Sequence, residues 1–194
     1  MAAFSFIDIL FVLGTAATVG AVAVPETLTT IDDSRTAAAA RYIATRLQRT
    51  RMEAVSRNGS TALRFARLSD HYEFAGYVDG NRNGVLSRDI QAGVDRLFQP
   101  VDRLTDHFSG VDFGADADLP AVDPTSPAPG DDPIRLGSGD MVTFTAIGTS
   151  STGSVYIRGR RGTQYVVRVY GETGKTRILR FNARNRQWIP ASDL

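Results

Sequence analysis

The residues whose types and spacing most suggest chemistry run from Asp79 to Asp89, DGNRNGVLSRD, with oxygen-bearing side chains at alternate positions and Gly84 at the sixth. In a calcium loop this spacing brings the side chains of Asp79, Asn81 and Asn83 and the carbonyl of Val85 onto one ion. The twelfth position, where a bidentate Glu closes such loops, is Ile90, and Asp89 falls one residue early. The competing reading is an Asx-turn, in which Asp and Asn side chains bond their own backbone. A structural Ca2+ is therefore one expectation and a self-closed turn the other; no cofactor is otherwise required.

A second constellation is basic. Between Ile157 and Trp188 lie Arg158, Arg160, Arg161, Arg168, Lys175, Arg177, Arg180, Arg184 and Arg186 against the single acid Glu172, interleaved with Tyr165, Tyr170, Phe181 and Trp188. Such a surface could hold a phosphate backbone electrostatically and stack bases on its rings. It could equally be the solvated face of a sheet whose inner face is Val166, Val169, Ile178 and Phe181, or a complement to acidic residues of this or another chain. His71 and His107 each stand near an Asp and an aromatic, but nothing pairs them, and no HExxH, phosphate loop or nucleophile elbow is present. No catalytic activity is expected.

These groups need a scaffold. Thr61–Leu68 and His71–Val78 alternate apolar and polar residues around a short turn, as paired strands do. Arg96–Val111 suggests a partly buried strand or strands, and four short strands follow at Met141–Ile147, Ser154–Arg158, Gln164–Tyr170 and Thr176–Phe181. Their regular spacing between Gly-containing turns predicts an antiparallel sheet. Residues 114–139 break this pattern with Pro120, Pro124, Pro127, Pro129 and Pro133 among five aspartates, which predicts an exposed loop. Lys+Arg total 22 and Asp+Glu 21, so net charge selects no partner, and without cysteine the domain must be stable on packing alone.

Ahead of the strands, residues 25–58 carry Ala40, Ile43, Leu47 and Ala54 at helical spacing, and Asn58-Gly59 marks the stop. Residues 4–24, FSFIDILFVLGTAATVGAVAV, hold one charge, Asp8, and would reach roughly 31 Å as a helix, enough to cross a bilayer core. A carboxylate there is expensive and must be matched by something. The run can be read as a secretory signal peptide with Ala21-Val22-Ala23 as the cleavage site, as a plain single-pass anchor, or as an assembly helix.

The third reading comes from a resemblance. Phe4, Ser5, Phe6, Ile7 and Asp8 resemble the first residues of processed type IV pilins and type II secretion pseudopilins, with Asp where that family has Glu, and Pro25 falls where pilin helices carry a kinking Pro. The carboxy-terminal run from TFTAIGTSSTGSVYIRG through YVVRVYGETGKTRILRF, closing on Gly174-Lys175-Thr176-Arg177, resembles the H-type (GspH/FimT) pseudopilin family. The DGNRNG turn at residues 79–84 resembles a DGNxNG turn that some members of this type carry, which implies a role in shaping the loop. The departures are a three-residue leader without basic residues, residues 1–3, and Ala3 in place of Gly before the cleavage point. The resemblance implies an α+β, pilin-like fold: a long kinked amino-terminal helix, its first part transmembrane, packed on an antiparallel β domain over residues 59–194. It implies cleavage by a prepilin peptidase between Ala3 and Phe4 with N-methylation, and pairing of Asp8 with a neighbour's amino terminus. It places the chain in the inner membrane with a periplasmic domain, and in a pseudopilus or type IV pilus after assembly. Other pilin subunits are implied as partners, with a secreted substrate or DNA beyond them. Lys175, Arg177 and Arg180 are the first residues it nominates for DNA.

Overall fold

The computed structural model describes residues 5–69, 71–124, 126–137 and 139–191. Helix α1 spans Phe6–Arg57, 52 residues without interruption. At about 1.5 Å per residue it is roughly 80 Å long. Ser5 opens it with a capping box: its hydroxyl accepts from the Ile7 N–H, and the Asp8 carboxylate accepts from the Ser5 N–H at 3.0 Å. Asn58 closes it in the left-handed conformation, φ 49°. The expected side-chain pattern holds along its second half, where Ala40, Ile43, Leu47 and Ala54 are fully buried together with Thr36, Ala39 and Thr50. Small residues at 36–40 let the sheet come close.

The strands follow in two antiparallel sheets rather than one. The first contains β1 (Thr61–Arg67), β2 (Tyr72–Val78), β3 (Arg96–Asp102) and, after a long excursion, β6 (Met141–Phe144), in the order β3-β2-β1-β6. The second is built from β7 (Gly153–Arg158), β8 (Gln164–Tyr170), β9 (Lys175–Asn182) and β10 (Gln187–Pro190), in the order β10-β9-β8-β7. Two short strands, β4 (Asp112–Phe113) and β5 (Ile134–Arg135), pair successively with the free side of β7. Short helices α2 (Ser87–Gln91) and α3 (Leu104–His107) fill the connections. The α+β architecture expected from the sequence is therefore present. The expected strand or strands over Arg96–Val111 are one strand and a helical turn.

Both sheets lay one face on α1. Leu63, Phe65, Phe74, Val142 and Phe144 from the first and Val155, Ile157, Tyr165, Val167 and Val169 from the second join the helix residues in a single core. Their other faces are covered as well. Ala62 and Met141 pack with Val85 and Ile90 of the 79–95 segment, and Tyr156, Val166, Leu179, Phe181 and Trp188 pack with Leu119. The inner face read from the sequence, Val166, Val169, Ile178 and Phe181, is thus divided between two sides. Val169 and Ile178 meet the helix, whereas Val166 and Phe181 meet the 114–139 loop. The reason is parity, since residues 166 and 169 of one strand point oppositely.

The 114–139 loop also departs from the expectation. It is not simply exposed: Leu119 and Ile134 are buried, Trp188 Nε1 donates to the Pro120 carbonyl at 3.0 Å, and Arg168 is ion-paired with Asp123. Proline and aspartate mark it as irregular, not as loose; Leu119, the Trp188 hydrogen bond and the Asp123 ion pair together seat it.

Candidate interaction surfaces

Four places hold the residues that the sequence singles out. The first is the free half of α1. Phe6, Ile7, Leu10, Phe11, Val12 and Leu13 are all more than half exposed, and Leu28 and Ile31 partly so, whereas Asp32 is buried and accepts from the Arg161 N–H of the second sheet. An apolar helix left bare over this length has a surface that calls for a cover. Asp8 is exposed there, and its carboxylate is engaged with the Ser5 N–H. The processing residues Ala3 and Phe4 lie outside the described residues, as do the side chains of residues 19, 20 and 22–25, Pro25 included; the helix runs through position 25. Among the described residues, no helix is long and apolar enough to cross a membrane.

The second place is the 79–95 loop. Asp79 Oδ1 accepts from the N–H groups of Asn81 (3.0 Å) and Arg82 (2.7 Å), and Oδ2 from that of Gly84 (2.7 Å). Asn81 Oδ1 accepts from the Asn83 N–H, and the amide nitrogens of Asn81 and Asn83 both donate to Asp89 Oδ2. These bonds are of the Asx-turn kind. A calcium ion would require the Asn83 amide to turn its oxygen inward. Asp95, which periodicity does not single out, is buried and closes the loop across its width, accepting from Gly80 N–H at 3.0 Å and Leu86 N–H at 2.9 Å.

The third place is the basic sheet. Much of its charge is neutralised internally. Arg158 pairs with Asp116 and Arg168 with Asp123, both acids of the 114–139 loop, and Arg180 pairs with Asp33 of α1 at 3.1 Å. Lys175 and Arg177 remain exposed and line an open cleft of about 430 Å³ with Thr152, Tyr170 and Glu172. The Arg177 guanidinium lies 5.7 Å from the Tyr170 ring centre. Arg180 does not join them. It alternates to the helix side of β9, so the three nominated residues form a pair and a separate ion pair.

The fourth place could not be found from periodicity. Asp102, at the end of β3, receives the Tyr42 hydroxyl from α1, His107 Nε2 from α3 at 2.8 Å and the Arg46 guanidinium at 3.3 Å. Nearby, Glu73 receives Arg103 and His71. Burial drives the Tyr42 hydroxyl pKa up, and its bond to Asp102 adds to this. For Asp102, burial pushes the carboxyl up, but the bonds from Tyr42, His107 and the Arg103 N–H outweigh it and leave the pKa below the usual carboxylate range. A depressed carboxyl stabilises the fold above its unfolded pKa of about 3.9 and loses that contribution as pH falls through the lower folded value. Asp102→Asn should therefore lower the Tm at pH 7 and narrow the gap to wild type at pH 3; scanning calorimetry at the two pH values checks this.

No protein-family model and no curated protein matches the chain. Among solved structures, the chain is similar to the minor pseudopilin EpsH from the Type 2 Secretion System of Vibrio cholerae. Identity is 14%, the TM-score is 0.47, and the match covers 75% of this chain and 97% of that one. The likeness concerns the course of the chain alone.

Proposed function

We propose that this chain is a minor pseudopilin- or pilin-like subunit that assembles through the first half of α1. The observation that carries the proposal is the bare apolar length of a single helix whose second half is the core of the domain. Such a surface is matched by lipid before assembly and by the helices of neighbouring subunits afterwards. Residues 4–24 serve as the membrane and filament segment, and Asp8, which caps the helix in isolation, exchanges the Ser5 N–H for a neighbour's amino terminus. Two opposite charges in low dielectric are tolerable together and costly apart. The domain stands outside the inner membrane.

The test is intact mass and amino-terminal sequencing of the protein from membranes of a host with and without a prepilin peptidase. The expected result is a peptidase-dependent start at Phe4 carrying an N-methyl group. An unchanged Met1 in both hosts would leave a plain anchor, and a start near Glu26 would leave a secreted protein.

A second reading rests on the cleft at Lys175, Arg177 and Tyr170, where cation and ring lie side by side as single-stranded nucleic acid requires. If DNA is held there, Lys175→Glu with Arg177→Glu should abolish a salt-dependent affinity for oligonucleotides in fluorescence anisotropy. Arg180→Glu should act through stability instead, because it breaks the pair with Asp33. Equal affinity of the double variant and the wild type would remove this reading.

A further inference from the structure

The end of the domain from which the bare helix emerges carries a cluster of arginines. The turn between β7 and β8 carries Arg160 and Arg161 and is clamped to α1: Asp32 Oδ2 accepts from the Arg161 N–H at 3.1 Å and from the Thr163 hydroxyl at 2.9 Å. A Cβ at Gly159 would stand 2.4 Å from Thr36 Oγ1 and 2.6 Å from Asp32 Oδ2, so glycine is what allows the turn to lie directly on the helix. The clamp holds the two arginines beside Arg35, one helical turn beyond Ile31. Arg35, Arg160 and Arg161 line one cleft of about 440 Å³ with Leu28, Ile31, Asp32 and Ser109. All three arginines are exposed, and none has a carboxylate partner among the described residues. Asp32, the one acid in the cleft, is buried and occupied by the turn.

We infer that this arginine cleft is a docking site for the phosphodiester headgroup of an anionic phospholipid. The inference rests on the proposed membrane role of residues 4–24. The position follows from the helix as a ruler. From Val24, the last apolar residue, to Ile31 the rise is about 10 Å, and to Arg35 about 16 Å. A headgroup layer is roughly 5–8 Å thick on each side of the hydrocarbon core. Leu28 and Ile31 therefore lie at the level of the headgroups or just beyond, and the arginines stand above with stems long enough to reach down to the phosphates. Guanidinium forks match phosphate oxygens in pairs, which an ammonium does not. The cationic wall of the cleft thus faces the phosphate layer from its outer side, with Leu28 and Ile31 beside the headgroups. The three arginines at this height are also within a screening length of an anionic surface, so attraction and orientation act together.

The experiment uses the full chain in nanodiscs of phosphatidylcholine alone and with about 30% phosphatidylglycerol, followed by hydrogen exchange with mass spectrometry. Protection of residues 6–24 in both discs reports insertion. The expected result is exchange at residues 159–163 and 28–35 slowed about fivefold by phosphatidylglycerol, with the effect lost in about 0.5 M NaCl and in Arg160→Gln/Arg161→Gln. That variant removes charge from an exposed turn and leaves the clamp on Asp32, which uses the Arg161 N–H and the Thr163 hydroxyl; an unchanged Tm confirms that it folds. Insertion without any difference between the two discs would overturn the lipid site and leave the anchor standing. Equal slowing by soluble glycerol phosphate would overturn the lipid as the source of the phosphate. Unprotected 6–24 would overturn the anchor and the docking site together.

Discussion

Leu47→Ala should lower the unfolding free energy by about 2–5 kcal/mol, the range for a fully buried leucine whose site cannot collapse. Leu47 has no exposure and sits in the helix stripe where both sheets meet α1, with Ile43 one turn before it and Thr50 after it. Its neighbours belong to separate elements, each fixed by its own hydrogen bonds. Gln48 donates to Thr176 in the second sheet, Gln99 of the first donates to Thr50, and Arg51 donates to the Gly148 carbonyl at 2.9 Å. The cavity therefore stays open. Against a typical total of about 5–15 kcal/mol the loss is large. Urea unfolding of the full chain in a mild detergent should show a lower midpoint with an unchanged slope. Met52→Ala, on the same helix but 70% exposed, is the control and should move stability by less than about 0.5 kcal/mol.

Asp123→Ala should cost about 2 kcal/mol, although the residue lies in an irregular loop. It leaves the Arg168 guanidinium in the sheet face without its counter-charge; the Arg168 side chain is 9% exposed and that of Asp123 30%. Breaking one side of a buried pair costs about 3–5 kcal/mol, and the partial exposure of Asp123 reduces this. Among the described residues Arg168 keeps Ser154 at 3.0 Å, Ser126 at 3.5 Å and the Tyr170 ring. Arg168→Met removes the charge itself, so adding Asp123→Ala to it should cost almost nothing. A double-mutant cycle measures the coupling, expected within about 0.5–3 kcal/mol. Limited proteolysis supplies a second readout: cutting within residues 114–139 should accelerate in Asp123→Ala, because the ion pair and Leu119 seat the same segment. Additive single effects would show that the loop is held by its apolar residues alone.

Some of this molecule was legible in its residues and some was not, for definite reasons. Ala40, Ile43, Leu47 and Ala54 announce the buried stripe because a helix repeats locally. Gln164–Tyr170 is bounded by turn residues and is a strand over that same range. What failed was the assignment of faces. A strand buried on both sides has no alternation to read, and Val166, Val167 and Val169 are indistinguishable until their covers are known. The cover of the outer face is a loop whose composition argues for exposure, and β10, which brings Trp188 to it, is too short to signal itself. The Tyr42–Asp102–His107 contact joins residues 60 and 65 positions apart in the chain, beyond any local period. Among the nominated basic residues, alternation alone separates Lys175 and Arg177 from Arg180, and it could have been applied to the sequence.

One consequence of the uninterrupted helix is mechanical. Because the same rod is both the bare arm and the central element of the domain, a pull along its axis reaches no hinge within the domain. The load enters at Asp32 and Asp33, where the β7–β8 turn, Tyr165 and Arg180 grip it, and continues past Gln48 and Thr50 to Arg51. All these grips would have to slide together, in shear, rather than peel one after another. The domain is thus a cargo bolted along half the length of its own towing bar.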